Sequence, residues 1–252
     1  MISALMVTQP GRAKSALEAM ADFVSQTHRD RELVVVHDAD TAFDETLRAA
    51  AARHGEVTIR IVRTRPNQTL GALRNRCLSE ADGDFVCQWD DDDRYHPERL
   101  ATQWKALHEA RADFSFLQQQ MHFFADTGEM FLVDWDGEAY PMNFIQGSMM
   151  ARRSLVPDYP SLPRGEDTPV AREILRRGHA IARIADRAWT YVYTCHEANA
   201  WSVAHHRAIA QSKGVGAARL LQSQATIESR LAQYDPPLAD FRLTPGGARP
   251  GS

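Results

Sequence analysis

The 252-residue sequence predicts an α/β protein with an open, mostly parallel central sheet. In the first part of the chain, short apolar runs alternate with segments whose apolar residues repeat at helical spacing. The run at residues 32–40 is continuously apolar before it ends in acids, which is typical of a parallel strand buried on both faces. Polar residues follow the apolar runs, at the sheet edge where open α/β sheets bind their ligands.

Four strands separated by helices are expected before residue 90. The strands are predicted at residues 2–7, 32–40, 57–62 and 85–89, and the helices at residues 13–26, 42–53 and 70–81. This strand–helix alternation favours parallel strands joined by right-handed crossovers.

After residue 97 the pattern changes from regular alternation to a mixture of strands, a hairpin and helices. The expected elements are a helix from His96-Pro97-Glu98 to about residue 110, strands at 114–120 and 143–150, a hairpin over 122–135, a helix from Thr168-Pro169 to before Gly178, a strand-like segment at 180–196, and one or two helices within 201–233. Residues 235–252 are rich in proline and glycine, and we expect them to be disordered.

Composition excludes several classes of protein. The formal net charge of -4 argues against a nucleic-acid partner. The three cysteines form no Cys-x-x-Cys pair, which argues against a disulfide framework and against a structural zinc site. No apolar run approaches the length of about 18 residues that a membrane span needs, and the N-terminal segment lacks the basic start of a signal peptide. We therefore expect a cytoplasmic protein.

The segment FVCQWDDDDRYHPERL at residues 85–100 carries the strongest functional signal. Four adjacent aspartates, Asp90–Asp93, repel one another and raise each other's pKa unless a cation neutralises them. Mg²⁺ or Mn²⁺ prefers such oxygen ligands, and Mg²⁺ is usually shared with substrate phosphates. The cluster therefore predicts a metal site for a phosphorylated substrate. The alternative is a solvated acidic turn that stabilises the N-terminus of the next helix.

This acidic motif, followed by Tyr95, Pro97 and Leu100, resembles that of family 2 glycosyltransferases with the GT-A fold. The resemblance extends over roughly residues 2–206. It implies a Rossmann-like, mostly parallel sheet flanked by helices, with a small acceptor-side hairpin and a C-terminal helical extension. It divides the chain into a glycosyltransferase domain (1–206), the extension (207–234) and a disordered tail (235–252).

In such enzymes the acidic motif binds the donor nucleotide sugar and the metal. Carried over, the resemblance implies that Asp90 contacts the ribose or donor side and supports the metal, and that Asp92 is the main metal ligand. Asp91 fits the variable position of the motif on the donor side, and Asp93 assists or supports the loop. The run of four leaves this register open by one residue.

Further matches fall on the expected nucleotide side. Thr8 follows the first strand, as the family's first nucleotide contact does, and Asp38, with Asp40 beside it, occupies the position that recognises the base. Gly71 and Arg74 stand in the family's Gly-x-x-Arg-Asn pattern, where the glycine allows close approach of a ligand and the arginine offers a planar fork to base or phosphate. Asp38 as a turn or cap residue is the alternative.

The acceptor side is expected near two later segments. Glu166 and Asp167 precede a helix that Thr168 can cap, and the resemblance implies that this acidic pair supplies the general base, namely Asp167. Simple stabilisation of the helix N-terminus is the alternative role for both acids. Gly147 and Ser148 match the glycine turn that borders the donor sugar.

A histidine late in the domain often helps to hold the metal or the diphosphate in this family. His196, directly after a strand-like run, is the first candidate, and His205 and His206 are the alternatives.

The resemblance implies an inverting, metal-dependent transfer of a sugar from a nucleotide diphosphate sugar to an acceptor hydroxyl, with Mn²⁺ or Mg²⁺ as the cofactor. The acceptor is expected to be a carbohydrate or lipid-linked, with peripheral membrane contact through residues 201–233. Two alternatives stay open. One is a nucleotide-sugar-binding protein with a regulatory role. The other is a sugar nucleotidylyltransferase, for which TQPGRAK (8–14) would be the phosphate loop.

Overall fold

The computed structural model describes residues 1–247. The strands are β1 Ile2–Val7, β2 Arg31–His37, β3 Thr58–Arg63, β4 Phe85–Gln88, β5 Arg94–Tyr95, β6 Phe114–Leu117, β7 Gln119–Phe124, β8 Glu129–Asp134, β9 Met150–Arg152, β10 Ile181–Ile184, β11 Tyr191–Cys195 and β12 Arg242–Leu243. The α-helices are α1 Ala13–Val24, α2 Thr41–Ala52, α3 Leu70–Glu80, α4 Arg99–Glu109, α5 Asp167–Arg176, α6 Val203–Lys213 and α7 Ala217–Leu231.

A seven-stranded sheet forms the centre of the molecule, in the order β10-β6-β9-β4-β1-β2-β3. The four strands of the N-terminal part pair in parallel, with Ile2 of β1 opposite Arg31 of β2 and Phe85 of β4. Strand β9 runs antiparallel between β4 and β6. The predicted α/β fold with a mostly parallel central sheet is therefore confirmed, and the carboxyl ends of β1, β2 and β4 lie at one edge.

A second sheet of five strands, in the order β12-β8-β7-β11-β5, was predicted only as its central hairpin. The segment at 180–196, expected as one strand-like run, divides into β10 and β11, which belong to different sheets. Asp186 adopts a left-handed backbone conformation (φ 56°) between them, and a 3₁₀ turn at Ala188–Thr190 follows it. These two features redirect the chain, and apolar periodicity does not reveal them.

The strand expected at 143–150 is wrong in position, because Gln146–Ser148 forms a 3₁₀ turn and the strand is Met150–Arg152. The hydroxyl of Ser148 holds this turn. It donates to the carbonyl of Ile145 (2.6 Å) and accepts the amide of Leu117 (2.8 Å). Both hydrogen bonds are buried, so the turn is fixed against the end of β6.

The C-terminal part packs on the second sheet. The expected boundary at 206–207 falls inside helix α6, so it does not separate two structural units. The expected disorder from residue 235 is not found over 235–247, since β12 pairs with β8 and Tyr234 is buried beside Leu238, Phe241 and Leu243. These apolar residues outweigh the proline and glycine content. Residues 248–252 of the expected tail lie outside the described part of the chain.

Across the part of the chain that the structure describes, no helix combines the length and the apolar character that crossing a membrane would require.

Gly71 of α3 lies against the backbone of the chain itself rather than against open space for a ligand. A Cβ added there would lie 1.8 Å from the carbonyl oxygen of Pro160, and the Gly71 amide donates to the carbonyl of Leu162 (3.1 Å). The glycine therefore serves to dock the segment before α5 onto α3. The expected close approach is real, but the partner is backbone.

Gly71→Ala is expected to lower the free energy of unfolding by roughly 2–3 kcal/mol, the range for overpacking a site that cannot expand. The gain in helix propensity, about 1 kcal/mol, is smaller than this clash. Urea unfolding measures the loss. Gly55→Ala is the matched control, because nothing lies within 4 Å of a Cβ there. Equal stability of the two variants would contradict this packing.

Candidate active site

The turn that follows β4 presents the four aspartates, and aromatic hydroxyls fix its shape. The amide of Asp90 donates to the hydroxyl of Tyr95 (2.6 Å). Asp93 is 1% exposed, and its two oxygens accept from the hydroxyl of Tyr191 (2.6 Å) and the amide of Thr194 (2.9 Å). Because the protein engages both oxygens of Asp93, this residue supports the turn, and Asp90, Asp91 and Asp92 are left for chemistry.

The wholly buried guanidinium of Arg99 lies beneath this turn. It stands 4.7 Å from the ring centroid of Tyr95 and 4.6 Å from that of Tyr191. Stacking on two rings holds both tyrosines in place. The sequence alone offers no signal for this role, because Arg99 opens α4 and is expected at the surface there.

Arg12, which sequence reasoning did not single out as a site residue, bridges two of the aspartates. Its Nη1 lies 2.9 Å from Asp91 Oδ1 and 3.0 Å from Asp92 Oδ2. Its Nη2 donates to the carbonyl of Ala198 (2.7 Å). A single guanidinium thus partly neutralises the adjacent carboxylates and joins the loop after β1 to the loop after β11.

His196 and Asn199 contact the same Asp92 oxygen as Arg12 does. Nε2 of His196 lies 3.3 Å from Asp92 Oδ2, and Nδ2 of Asn199 donates to the same oxygen at 3.0 Å. Of the three candidate histidines, His196 is the one that the structure places against the aspartate expected to bind metal. His205 is exposed, and His206 is buried beside Tyr193.

Asp91 and Asp92 titrate in opposite directions. Burial, together with the neighbouring Asp92, raises the pKa of Asp91 to about 7. Burial also disfavours the charged form of Asp92, but the hydrogen bond from His196 and the charge of Arg12 outweigh it and lower the pKa of Asp92. Two carboxylates in one buried turn resist carrying two negative charges, and a bound cation relieves this conflict.

The residues present fit Mn²⁺ or Mg²⁺. Carboxylate oxygens of Asp91 and Asp92 lie 2.9 and 3.0 Å from the same Arg12 nitrogen, and among the described residues the buried Asp91 Oδ2 has no hydrogen-bond partner. The imidazole of His196 would add a nitrogen ligand, which suits Mn²⁺ better than Mg²⁺.

Arg74 connects the two acidic motifs of the sequence. Its Nε donates to Glu166 Oε1 at 2.5 Å, and its Nη2 donates to Asp90 Oδ1 at 2.7 Å. The side chain is 7% exposed, so both ion pairs are shielded from water. Glu166 and Asp90 are far apart in sequence, and Arg74 holds them across the cavity.

Asp167 opens helix α5, with Glu166 at the preceding cap position. The expected cap by Thr168 is wrong, because the Thr168 hydroxyl donates instead to Oε1 of Gln146 (2.7 Å). Burial raises the pKa of Asp167 to about 6, and the adjacent Glu166 carboxylate adds to this effect. A carboxylate with a pKa closer to neutrality is a stronger base.

One cavity of about 360 Å³ brings the acidic turn, Arg74 and the Glu166–Asp167 pair together, whereas His196 lines an adjoining cavity that shares Arg12 and Asp92 with it. Its lining includes Arg12, Arg74, Asp90–Asp93, Gly147, Glu166, Asp167 and Asn199, and on the far side Gln120, His122, Trp135, Tyr193 and His206. Gly147 lies against Asp90, since a Cβ there would stand 3.7 Å from Asp90 Oδ2. A glycine therefore keeps this wall open at the acidic turn.

The remaining expected nucleotide contacts are placed less directly. Thr8 is buried at the end of β1, and its hydroxyl has no hydrogen-bond partner among the described residues. Asp38 accepts the amide of Gln68 (2.9 Å), and Asp40 caps α2 by accepting the amide of Phe43 (2.9 Å). Neither Asp38 nor Asp40 lines the cavity that holds the acidic turn. Asp40 therefore caps the N-terminus of α2. The hydroxyl of Ser148 is used by the two hydrogen bonds that hold the turn at Gln146–Ser148.

Residues 6–158, more than half of the chain, match the family model described as "Glycosyl transferase family 2". The chain belongs to glycosyltransferase family 2.

Two curated relatives show the same kinship. A putative glycosyltransferase EpsE of Bacillus subtilis is 35% identical over 112 residues, which cover 44% of this chain and 36% of the relative. A cholesterol galactosyltransferase of Borreliella burgdorferi is 29% identical over 110 residues, which cover 43% of this chain and 30% of the relative. The aligned part of this family 2 chain therefore spans about a third of the length of each curated relative.

Solved structures share the fold of this family 2 chain. The S. aureus TarS fragment in complex with UDP-GlcNAc aligns with a TM-score of 0.61 and 18% identity, covering 95% of this chain and 68% of that one. The Pyrobaculum calidifontis mannosyltransferase PcManGT, in complex with GDP-Man and Mn²⁺, aligns with a TM-score of 0.62 and 17% identity, covering 82% and 59%. The expected GT-A architecture is confirmed.

We predict that Asp93→Asn leaves the affinity for Mn²⁺ within about threefold of that of the unaltered chain, because Asp93 is engaged by Tyr191 and Thr194 rather than facing an ion. Asp92→Asn, the matched change one residue earlier, is expected to weaken Mn²⁺ binding strongly. Titration of Mn²⁺ followed by electron paramagnetic resonance of the free ion measures both. Equal losses in the two variants would place Asp93 among the ligands.

Proposed function

We propose that this chain is an inverting, metal-dependent glycosyltransferase that moves a sugar from a nucleotide diphosphate sugar to an acceptor hydroxyl. The observation that carries the proposal is the junction made by Arg74, which donates to Asp90 of the acidic turn and to Glu166 beside Asp167. A donor-side acid cluster and a half-buried candidate base thereby face one cavity. Neither motif alone would bring donor and acceptor together.

Each group has a role that follows from its surroundings. Asp91, Asp92 and His196 would hold Mn²⁺ or Mg²⁺, which when bound supplies Lewis-acid stabilisation of the diphosphate leaving group. Arg74 positions Asp90 toward the donor and adds positive charge near the departing diphosphate. Asp167 removes the proton of the acceptor hydroxyl as that oxygen attacks the anomeric carbon. The buried site limits the access of competing water.

The fold neighbours support the donor class. The TarS structure contains UDP-GlcNAc, and the PcManGT structure contains GDP-Man with Mn²⁺. Both ligands are nucleoside diphosphate sugars, and the acid cluster with an imidazole beside it suits a metal-bound diphosphate. We therefore propose a donor of this class, with Mn²⁺ as the preferred ion.

We propose a carbohydrate or lipid-linked acceptor and a cytoplasmic chain with peripheral membrane contact. Trp201 lies just before α6, and Leu221 lies on α7. Both are large apolar side chains, and they are 45% and 74% exposed, respectively. Flotation with neutral and anionic liposomes tests the membrane contact. Recovery of the chain only in the unbound fraction would contradict it.

The rate of transfer is expected to fall as the pH drops through about 6, the pKa to which burial and the neighbouring Glu166 raise that of Asp167. The sign follows from the role, because a protonated carboxyl group cannot accept the acceptor's proton. Glu166→Gln removes the neighbouring negative charge, so the acidic limb of the profile should move to lower pH. Rates between pH 5 and 8 measure the acidic limb for the unaltered chain and for Glu166→Gln. An acidic limb at the same pH in both would contradict the coupling of Asp167 to Glu166.

The function is tested by incubating the chain with a panel of nucleotide sugars and candidate acceptors, with Mn²⁺ or with EDTA. We expect the nucleoside diphosphate to be released with Mn²⁺ and not to be released with EDTA. Calorimetric binding of a nucleoside diphosphate without donor consumption would favour a regulatory binding protein. Release of pyrophosphate from a nucleoside triphosphate and a sugar phosphate would favour a nucleotidylyltransferase.

A further inference from the structure

Three side chains from three separate elements meet behind the far wall of the cavity. They are His122 of β7, Cys195 at the end of β11 and His206 of α6. Each offers one nitrogen or sulfur atom, and these atoms lie within 4.8 Å of one another. The three residues are 2%, 1% and 5% exposed, respectively. The cluster is therefore almost closed to solvent.

The hydrogen bonds of the two histidines leave matching atoms free. Nε2 of His206 lies 3.1 Å from the hydroxyl of Tyr193, and Nε2 of His122 lies 2.5 Å from the carboxamide nitrogen of Gln120. Nδ1 of each imidazole is buried and finds no hydrogen-bond partner among the described residues. Each histidine of the cluster therefore has one buried, unsatisfied ring nitrogen of the same type.

The contact between His122 and Gln120 indicates which tautomer His122 adopts. The Gln120 Oε1 atom is also buried without a partner, and exchanging the oxygen and nitrogen of a carboxamide is compatible with the same side-chain shape. With the amide turned over, the Nε2–H of His122 donates to Oε1 and its Nδ1 carries a lone pair. Metal-bound histidines characteristically donate their second ring N–H to such a partner.

Burial also sets the charge of the cluster. It lowers the pKa of His122 to about 3 and that of His206 to about 4, so both imidazoles are neutral at pH 7. A bound metal ion would ionise the Cys195 thiol. Two neutral imidazoles and one thiol give a set of soft and borderline ligands without acidic oxygens.

We propose that His122 Nδ1, His206 Nδ1 and Cys195 Sγ bind one Zn²⁺ ion, at a site distinct from the aspartates after β4. Nitrogen and thiolate ligands are those that Zn²⁺ prefers, whereas the acidic turn offers mainly oxygen. On binding, a Zn–S bond forms and the thiol proton leaves to solvent. Three protein ligands leave a fourth position, on the side where His122 and His206 line the cavity.

The ion would join α6 to two strands, β7 and β11, that already pair with each other in the second sheet. It would thereby hold the C-terminal helices against the wall of the cavity. The cysteines argued against a structural zinc site, because no Cys-x-x-Cys pair is present. The three ligands proposed here are far apart in the sequence. Only the fold brings them together. The inference does not depend on the proposed transferase activity.

Cobalt substitution tests the site directly. The full chain is stripped of metal and loaded with Co²⁺, and we expect the near-ultraviolet charge-transfer band of a thiolate–cobalt bond together with the visible bands of tetrahedral Co²⁺. Cys195→Ser should abolish the charge-transfer band. Cys77→Ser, which alters another buried cysteine outside the cluster, should keep it. Absence of the band in the unaltered chain, or its persistence in Cys195→Ser, would overturn the proposal.

A thermal shift gives a second readout, and matched variants separate binding at this cluster from binding at the acidic turn. Free Zn²⁺ at one hundred times its Kd is expected to raise Tm by roughly 5–10 °C, with one ion bound per chain. His206→Gln should lose this shift, whereas His205→Gln, the exposed neighbour, and Asp92→Ala should both retain it. Circular dichroism verifies that each variant is folded. A shift that disappears in Asp92→Ala but survives in His206→Gln would assign the ion to the acidic turn instead.

Discussion

Asp167→Asn is expected to lower kcat by about 10²–10⁴-fold, the usual contribution of a general base. The amide keeps the shape of the carboxylate but cannot accept a proton at neutral pH. Because Asp167 is not placed among the metal or diphosphate contacts, the Kd for a nucleoside diphosphate with Mn²⁺ should stay within about threefold. Initial rates of donor consumption and calorimetry measure the two effects separately.

The control for this variant is Glu166→Gln, which changes the adjacent acid that bonds Arg74. It should disturb the position of Arg74 and the pH profile, but it leaves the Asp167 carboxylate in place. We expect a smaller loss of kcat than in Asp167→Asn. Full activity in Asp167→Asn, or a larger loss in Glu166→Gln, would assign the base to Glu166 or to a group outside this pair.

Asp92→Ala is expected to raise the Kd for Mn²⁺ by at least about 100-fold and to lower turnover in parallel at subsaturating metal. Asp92 carries the contacts of Arg12, His196 and Asn199, and its pKa is held low, so it is the carboxylate best kept in the charged form. Removal of even an outer partner of a metal site costs up to about 100-fold. Calorimetry with Mn²⁺ and rates at increasing Mn²⁺ check the prediction.

The matched control is Asp40→Ala, which removes an exposed carboxylate that caps α2. This carboxylate does not line the cavity that holds the acidic turn. It should cost about 1 kcal/mol of stability through the lost cap and leave Mn²⁺ binding unchanged. Unchanged Mn²⁺ affinity in Asp92→Ala would show that the ion is held without this residue, and the assignment of the acidic turn would then fail.

The acidic turn could be predicted because its signal is local. Four consecutive carboxylates between an apolar run and a helix start cannot be explained by packing, and their place at the end of a parallel strand follows from the alternation of strands and helices. The choice among the four could not be made from the sequence. It depends on Tyr191 and Thr194, which engage Asp93 from the second sheet, about a hundred residues later.

The role of Arg74 shows a partial success of the same kind. The Gly-x-x-Arg-Asn pattern singled it out, but as a contact of base or phosphate. Its two partners, Asp90 and Glu166, lie on different elements, and their proximity is a property of the folded chain. Arg12 had no comparable signal, because a lone arginine after a turn is usually solvated.

The second sheet and the C-terminal segment were the least predictable parts of the fold. Short strands such as β5 and β12 have two residues each, too few for a periodic pattern. Gly214 and Gly246 approach so closely that a Cβ on Gly246 would lie 2.4 Å from the Gly214 backbone. Glycines that suggested disorder in the sequence therefore permit a tight contact instead.

The central claim is a single displacement in which Asp167 activates the acceptor at the anomeric carbon of the donor. Proton nuclear magnetic resonance of the first-formed product, from a donor and acceptor identified in the turnover panel, tests it most directly. Direct attack predicts that the transferred sugar has the opposite anomeric configuration to that in the nucleotide sugar. A product with the donor's configuration would contradict the account, because it requires two displacements or attack from the leaving-group side.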